Sequence, residues 1–124
     1  MKPNQGMSNS QLNLNFSEGS ISLSFSGDAA KELQGALREL LTRLKAVASS
    51  PAGGSKRPTP QKPMEYQHRG EVFLEVFCNP NIWPSPFAAK ILLTVRDERI
   101  RLTTEVELTQ VLEDLERYLQ QFGD

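Results

Sequence analysis

Residues 12–25 alternate apolar and polar side chains with a period of two, and a Gly-containing turn breaks the alternation once. Leu12, Leu14 and Phe16 interleave with Asn13 and Asn15, and after Ser17-Glu18-Gly19-Ser20 the pattern resumes with Ile21, Leu23 and Phe25 between Ser22 and Ser24. Successive side chains of an extended chain point to opposite faces, so the pattern predicts a β-hairpin with one dry face and one Asn/Ser face in water. Two strands cannot hold such a face alone and need a covering layer. The next segment supplies one. Ala29, Leu33, Leu37, Leu40, Leu41, Leu44 and Val47 recur at helical spacing, with Lys31, Glu32, Arg38, Glu39 and Arg43 on much of the other face. Gly27-Asp28 is expected to open this helix, with the Asp28 carboxylate accepting amide protons of the first turn.

The same order returns near the C-terminus. Ile91, Leu93 and Val95 alternate with polar residues, Asp97-Glu98 turns the chain, and Ile100 and Leu102 continue between Arg99, Arg101 and Thr103. Thr104-Glu105-Val106-Glu107 reads as a capping box ahead of a last helix. Its apolar stripe is Leu108, Val111, Leu112, Leu115, Tyr118, Leu119 and Phe122, and Gly123 is a natural stop. A constant shift of 79 positions superposes the two units without a gap, setting Leu12 on Ile91, Ile21 on Ile100 and Leu40 on Leu119. Either an internal duplication or the shared period of any two amphipathic ββα segments accounts for this.

Between the units, Glu71–Cys78 reads as a strand with Val72, Leu74, Val76 and Cys78 on one face and Phe73 and Phe77 on the other. Apolar groups on both faces mark a central strand, or one whose second face is covered. The expected fold is therefore α+β, a two-layer sandwich in the order ββα–linker–βββα. Its single, mainly antiparallel sheet has about five strands, with two helices on one face. A domain-swapped pairing between protomers is the other arrangement that satisfies the pattern, so the oligomeric state stays open.

Residues 1–10 are polar and predict a disordered tail. Residues 49–65 hold four prolines and two glycines with no apolar period, a flexible linker within a single domain spanning 11–124. A chain of 124 residues with 38% hydrophobic content suffices for one core. The net charge of −1 gives no global basic field to draw in nucleic acid or anionic lipid. Cys78 is the single cysteine, which excludes an intramolecular disulfide and any multi-cysteine metal site and fits a reducing compartment. Met1–Ser10 lacks the apolar run of a secretory signal, and no stretch approaches the about 20 residues that span a bilayer. A soluble cytoplasmic protein is expected, with peripheral docking on a membrane-bound complex left open.

Nothing in the chain announces a reaction. Cys78 continues an apolar strand face, as a buried structural thiol does. His68, beside Arg69, is expected at the surface and lacks the partners a general base requires. Glu113, Asp114 and Glu116 read as the solvated side of the last helix. No Gly-rich phosphate loop, EF-hand loop, His/Cys metal spacing or nucleophile elbow is present. No catalytic residue, cofactor or metal is expected.

Binding has better candidates. The loop Asn79–Phe87 holds the single tryptophan, Trp83, among three prolines and between Ile82 and Phe87, and rigid aromatic anchors of this kind dominate interfaces. Trp83 folding back over the sheet is the competing expectation. Arg96, Arg99 and Arg101 form a basic hairpin, interrupted by Asp97 and Glu98, and Lys56, Arg57, Lys62 and Arg69 add charge upstream. Any open sheet edge would also template an added strand.

The run from Asn79 to Glu105, Asn-Pro-Asn-Ile-Trp-Pro-Ser-Pro-Phe at its start and Arg-Asp-Glu-Arg-Ile-Arg-Leu near its end, resembles small cyanobacterial proteins of unassigned role. It contains no motif tied to chemistry. The resemblance implies a cytoplasmic protein of a photosynthetic cell, where small auxiliary subunits and assembly factors serve thylakoid complexes, NDH-1 among them. The sequence thus predicts a non-catalytic protein–protein interaction module, an accessory subunit or assembly factor, binding through Ile82, Trp83, Phe87, Arg96, Arg99 and Arg101. The alternative is a nucleic-acid-binding regulator using the basic linker with Arg99 and Arg101.

Overall fold

The computed structural model describes residues 11–48 and 60–122. The expected tail at 1–10, linker positions 49–59 with Lys56 and Arg57, and the stop at Gly123 lie outside the described residues.

The fold is α+β. Strands β1 (Gln11–Phe16) and β2 (Gly19–Ser24) form the first hairpin, with Leu12 opposite Leu23 and Leu14 opposite Ile21 on its dry face. Helix α1 (Gly27–Ala48) follows and buries Leu33, Leu37, Leu40 and Leu44 completely. Its cap is Ser26 rather than Asp28. The Ser26 hydroxyl accepts the Ala29 amide at 3.0 Å and its carbonyl accepts the Ala30 amide at 2.9 Å. Asp28 stays exposed in the first turn, where its charge still complements the helix dipole.

Strands β3 (Met64–Arg69), β4 (Phe73–Cys78), β5 (Lys90–Arg96) and β6 (Arg101–Glu107) then make an antiparallel meander, and α2 (Leu108–Phe122) closes the described chain. In place of one sheet of about five strands there are a two-stranded and a four-stranded sheet. One cause is β3, whose first residues read as linker. The other is the edge of β1. The Asn15 amide finds no strand partner there and donates instead to Asp114 Oδ2 of α2 at 2.8 Å. A helix carboxylate replaces a neighbouring strand.

The apparent capping box is strand. Thr104 and Val106 pair with Leu93 and Ile91, and the Leu108 amide still bonds the Ala89 carbonyl at 3.1 Å. A continuous ladder with β5 outweighs the two bonds a box supplies. The gapless alignment of the two units also fails past the turn. Two residues separate Phe16 from Gly19, whereas four separate Arg96 from Arg101. Ile100, the counterpart of Ile21, consequently sits at the turn with 65% exposure.

One core cluster joins both halves of the chain, from Leu12 in β1 to Tyr118 in α2. Polar contacts interlock the halves. The Tyr118 hydroxyl donates to the Phe25 carbonyl, and the Tyr66 hydroxyl to the Ala29 carbonyl at 3.3 Å. Arg43 Nη1 reaches the carbonyls of Lys62 and Pro63 at 3.0 and 3.2 Å. Asp114, expected on a solvated face, is 2% exposed. Besides the Asn15 amide it accepts Asn15 Nδ2 at 3.1 Å, Gln110 Nε2 at 3.0 Å and Arg117 Nη1 at 3.3 Å. His68 is likewise half-buried, its ring edge-on to Phe25 at 4.7 Å between centroids. No described helix is long and apolar enough to cross a membrane.

Candidate functional site

The four-stranded sheet turns Leu74, Val76, Cys78, Ile91, Leu93, Val95 and Val106 into the core. The residues that alternate with them point the other way: Thr94 at the centre is only 5% exposed, Phe73, Glu75 and Phe77 are half-buried, and Arg69, Leu92, Arg96 and Arg101 are exposed. Register orders this outer face into rows. Arg69, Phe73, Arg96 and Arg101 form one row, next to the strand-joining turns. Gln67, Glu75, Thr94 and Thr103 form the middle row, and Glu65, Phe77, Leu92 and Glu105 the third. Lys90 and Glu107 lie beyond it.

The first row is an alternation of cations and an aromatic ring that no single segment of sequence displays. β3 and β5 flank β4, so Arg69 and Arg96 stand on either side of Phe73, with guanidinium carbons 5.2 and 4.3 Å from its centroid. Both contacts are cation–π in character. The ion pairs among the described residues are Arg43–Glu39 and Arg117–Asp114, so the guanidinium groups of this row face solvent without a carboxylate partner. Asp97 is occupied in the turn, where its carboxylate accepts the amides of Arg99 at 2.8 Å and Ile100 at 2.9 Å. Those two bonds hold its carboxyl below the ordinary carboxylate range. A cleft of about 570 Å³ opens beside the row, lined by Gly70, Glu71, Phe73, Arg96, Asp97, Glu98 and Arg99.

The structure does not bring the six sequence-predicted residues together. Arg96, Arg99 and Arg101 sit at one end of β5, whereas Ile82, Trp83 and Phe87 lie in the loop at the other end, roughly 20 Å away along the strand. That loop is firmly built. Asn79 caps a 3-10 turn at Pro80–Ile82 by accepting the Asn81 amide at 3.0 Å. Asn81 then exchanges two bonds with the Gln61 backbone, at 2.7 and 2.8 Å, as a strand neighbour would. Trp83 is half-buried and leans on the core. Ile82 at 65% and Phe87 at 85% exposure project into solvent.

The sequence reading counts Arg69 as upstream charge and sets Phe73 on the second face of its strand, but names neither among the binding residues. The signal for Phe73 is its parity in β4, but its neighbours are fixed by pairing with β3, which the sequence does not mark as a strand. A cysteine–histidine pair does not form. Cys78 is opposite Met64 and His68 opposite Leu74, which separates them by roughly 13 Å along the sheet. Burial pushes the Cys78 thiol up to about 11, against a smaller opposing pull from Trp83, and the thiol lies 3.4 Å from the Lys90 carbonyl. The arrangement sets an arginine–aromatic row beside a cleft, and the single thiol is buried and not activated.

No protein-family model matches the chain, and no curated protein or solved structure matches it.

Proposed function

We propose that the protein is a non-catalytic protein–protein interaction module, an accessory subunit or assembly factor of a larger complex. The observation that carries this reading is the outward sheet face, with Phe73 held between the exposed Arg69 and Arg96 and with no carboxylate pairing these guanidinium groups among the described residues. Desolvated arginine and aromatic groups are the residue types that dominate interface energies. The loop at the far end adds Ile82 and Phe87, large apolar side chains with no cover among the described residues. The resemblance of residues 79–105 to small cyanobacterial proteins points to a thylakoid complex such as NDH-1 as the setting, with the module docked from the cytoplasmic side.

Co-purification from the native cell at low salt tests the reading. Three chains are compared: the wild type, Arg96→Glu with Arg101→Glu, and Ile82→Ser with Phe87→Ser. All these side chains are exposed, so circular dichroism is expected to stay unchanged. Loss of a specific partner from either variant supports docking; identical partners from all three count against it. Trp83 is left intact because its ring packs on the core.

A second reading, nucleic-acid binding, is favoured by Phe73 between two guanidinium groups, since rings and arginines of this kind stack on bases. Glu65, Glu75, Glu105 and Glu107 on the same face oppose it by repelling phosphates. Anisotropy with labelled single-stranded RNA and DNA decides. Binding at about 50 mM salt that collapses by about 200 mM favours this reading, and no binding at the lower salt eliminates it.

A further inference from the structure

We infer that this outward sheet face is a self-association surface, met by the same face of a second copy of this chain turned end for end. The inference rests on the reading as an interaction module and names the occupant of that face.

Two rows of this face carry opposite charge. The first is Arg69-Phe73-Arg96-Arg101 and the third is Glu65-Phe77-Leu92-Glu105, related across the middle row on the same four strands. A two-fold axis lying between the sheets along the middle row keeps each strand opposite its own counterpart and exchanges the outer rows. Arg69 then meets the second copy's Glu65, and Arg101 meets the second copy's Glu105. Phe73 meets Phe77, and the stem of Arg96 covers Leu92. Every contact between the outer rows occurs twice, as an isologous interface requires, and each residue of the middle row meets its own counterpart on the axis. The other two-fold that keeps the strands of stacked sheets aligned, along the strands, sets Arg69 against Arg101 and Glu65 against Glu105, and like charges oppose it. Charge therefore selects one orientation.

Size agrees with a reversible dimer. Four strands about 4.8 Å apart, each about six residues at about 3.3 Å, give roughly 400 Å² in plan. Side-chain relief raises this to on the order of 1,000 Å² over both copies, the low end of specific interfaces, where weak and transient complexes lie. Aligned sheets cross at about 30°, which the twist of each sheet accommodates. One element works against the pairing: Glu75 lies on the axis, in the middle row, and faces its own counterpart.

Sedimentation equilibrium of the full chain over roughly 1–200 µM tests the inference. The wild type is expected to pass from monomer to dimer within that range. Arg69→Glu with Arg101→Glu is expected to weaken the dimer at least about tenfold, about 1.4 kcal/mol. Adding Glu65→Arg and Glu105→Arg to the same chain restores both pairs and returns affinity to within about threefold of wild type. Glu75→Gln tightens the dimer. A monomer throughout, or a dimer that charge reversal leaves unchanged, or no rescue in the four-fold variant, overturns the inference. A monomeric wild type that still loses a native partner in the Arg96→Glu/Arg101→Glu variant removes self-association and keeps the interaction module. A charge-dependent dimer with identical native partners in every variant does the reverse.

Discussion

Asp114 joins the first strand to the last helix. Its carboxylate is sealed from solvent and takes two donors from Asn15, one from Gln110 and one from Arg117. Bonds to a charged acceptor are stronger than neutral ones, and removing a shared acceptor strands every donor at once. Asp114→Ala is expected to cost about 3 kcal/mol, read from the urea midpoint at neutral pH. Cys78 and Tyr66 give the pH dependence its sign. Burial raises the thiol from 9.0 to about 11, and burial followed by repulsion from Glu32 raises the phenol from 10.0 to about 12. Each folded group holds its proton where the unfolded one has released it. Their stabilisation is therefore complete below about pH 9 and is lost as the pH climbs through 9 toward 12. Denaturant midpoints measured from pH 7 to 12 should be flat at first and fall above 9; a rise there would contradict the assignment. The burial of Cys78 was legible from strand parity alone. That of Asp114 was not, because a carboxylate in a run of acids reads as solvated until a strand edge is placed beside it.

At the level of elements, the period-two and helical patterns located the first hairpin, both helices and the core strands β4 and β5. The misses have physical causes. β3 does alternate, but of its inward residues only Met64 is plainly apolar; Tyr66 and His68 are amphipathic and turn inward against the Ala29 carbonyl and the Phe25 ring. Thr104–Glu107 satisfies a helix cap and a strand equally well by local composition, and the pairing of β6 with β5 decides between them. In α1, Gly35 sits exposed in mid-helix with open space where a Cβ would be. Gly35→Ala is expected to stabilise the protein by about 0.5–1 kcal/mol through the unfolded chain's entropy, measurable as a higher denaturant midpoint with an unchanged slope.

For the molecule as a whole, one core is assembled from two stretches of chain, 11–48 and 60–122. Neither stretch covers its own apolar surface. A protease site placed at Gly53-Gly54 and cut in the folded protein should therefore yield two fragments that co-elute without denaturant and separate with it; fragments that part spontaneously would show the interlocking bonds to be weak. The candidate surface follows the same logic of scale. Arg96 and Arg101 were visible as a basic hairpin, but the Phe73 ring and Arg69 join them only through pairing across three strands. Sequence shows which residues share a strand face, and register alone shows which stand side by side.

The bonds from Asn15 to Asp114 and from Tyr118 to Phe25 span 99 and 93 residues of sequence. During synthesis the ribosome releases the first hairpin long before α2 exists. Of the described strands, the first to be made is thus among the last to be fixed, and until α2 is made its open edge is exposed to whatever the cell keeps near a nascent polypeptide.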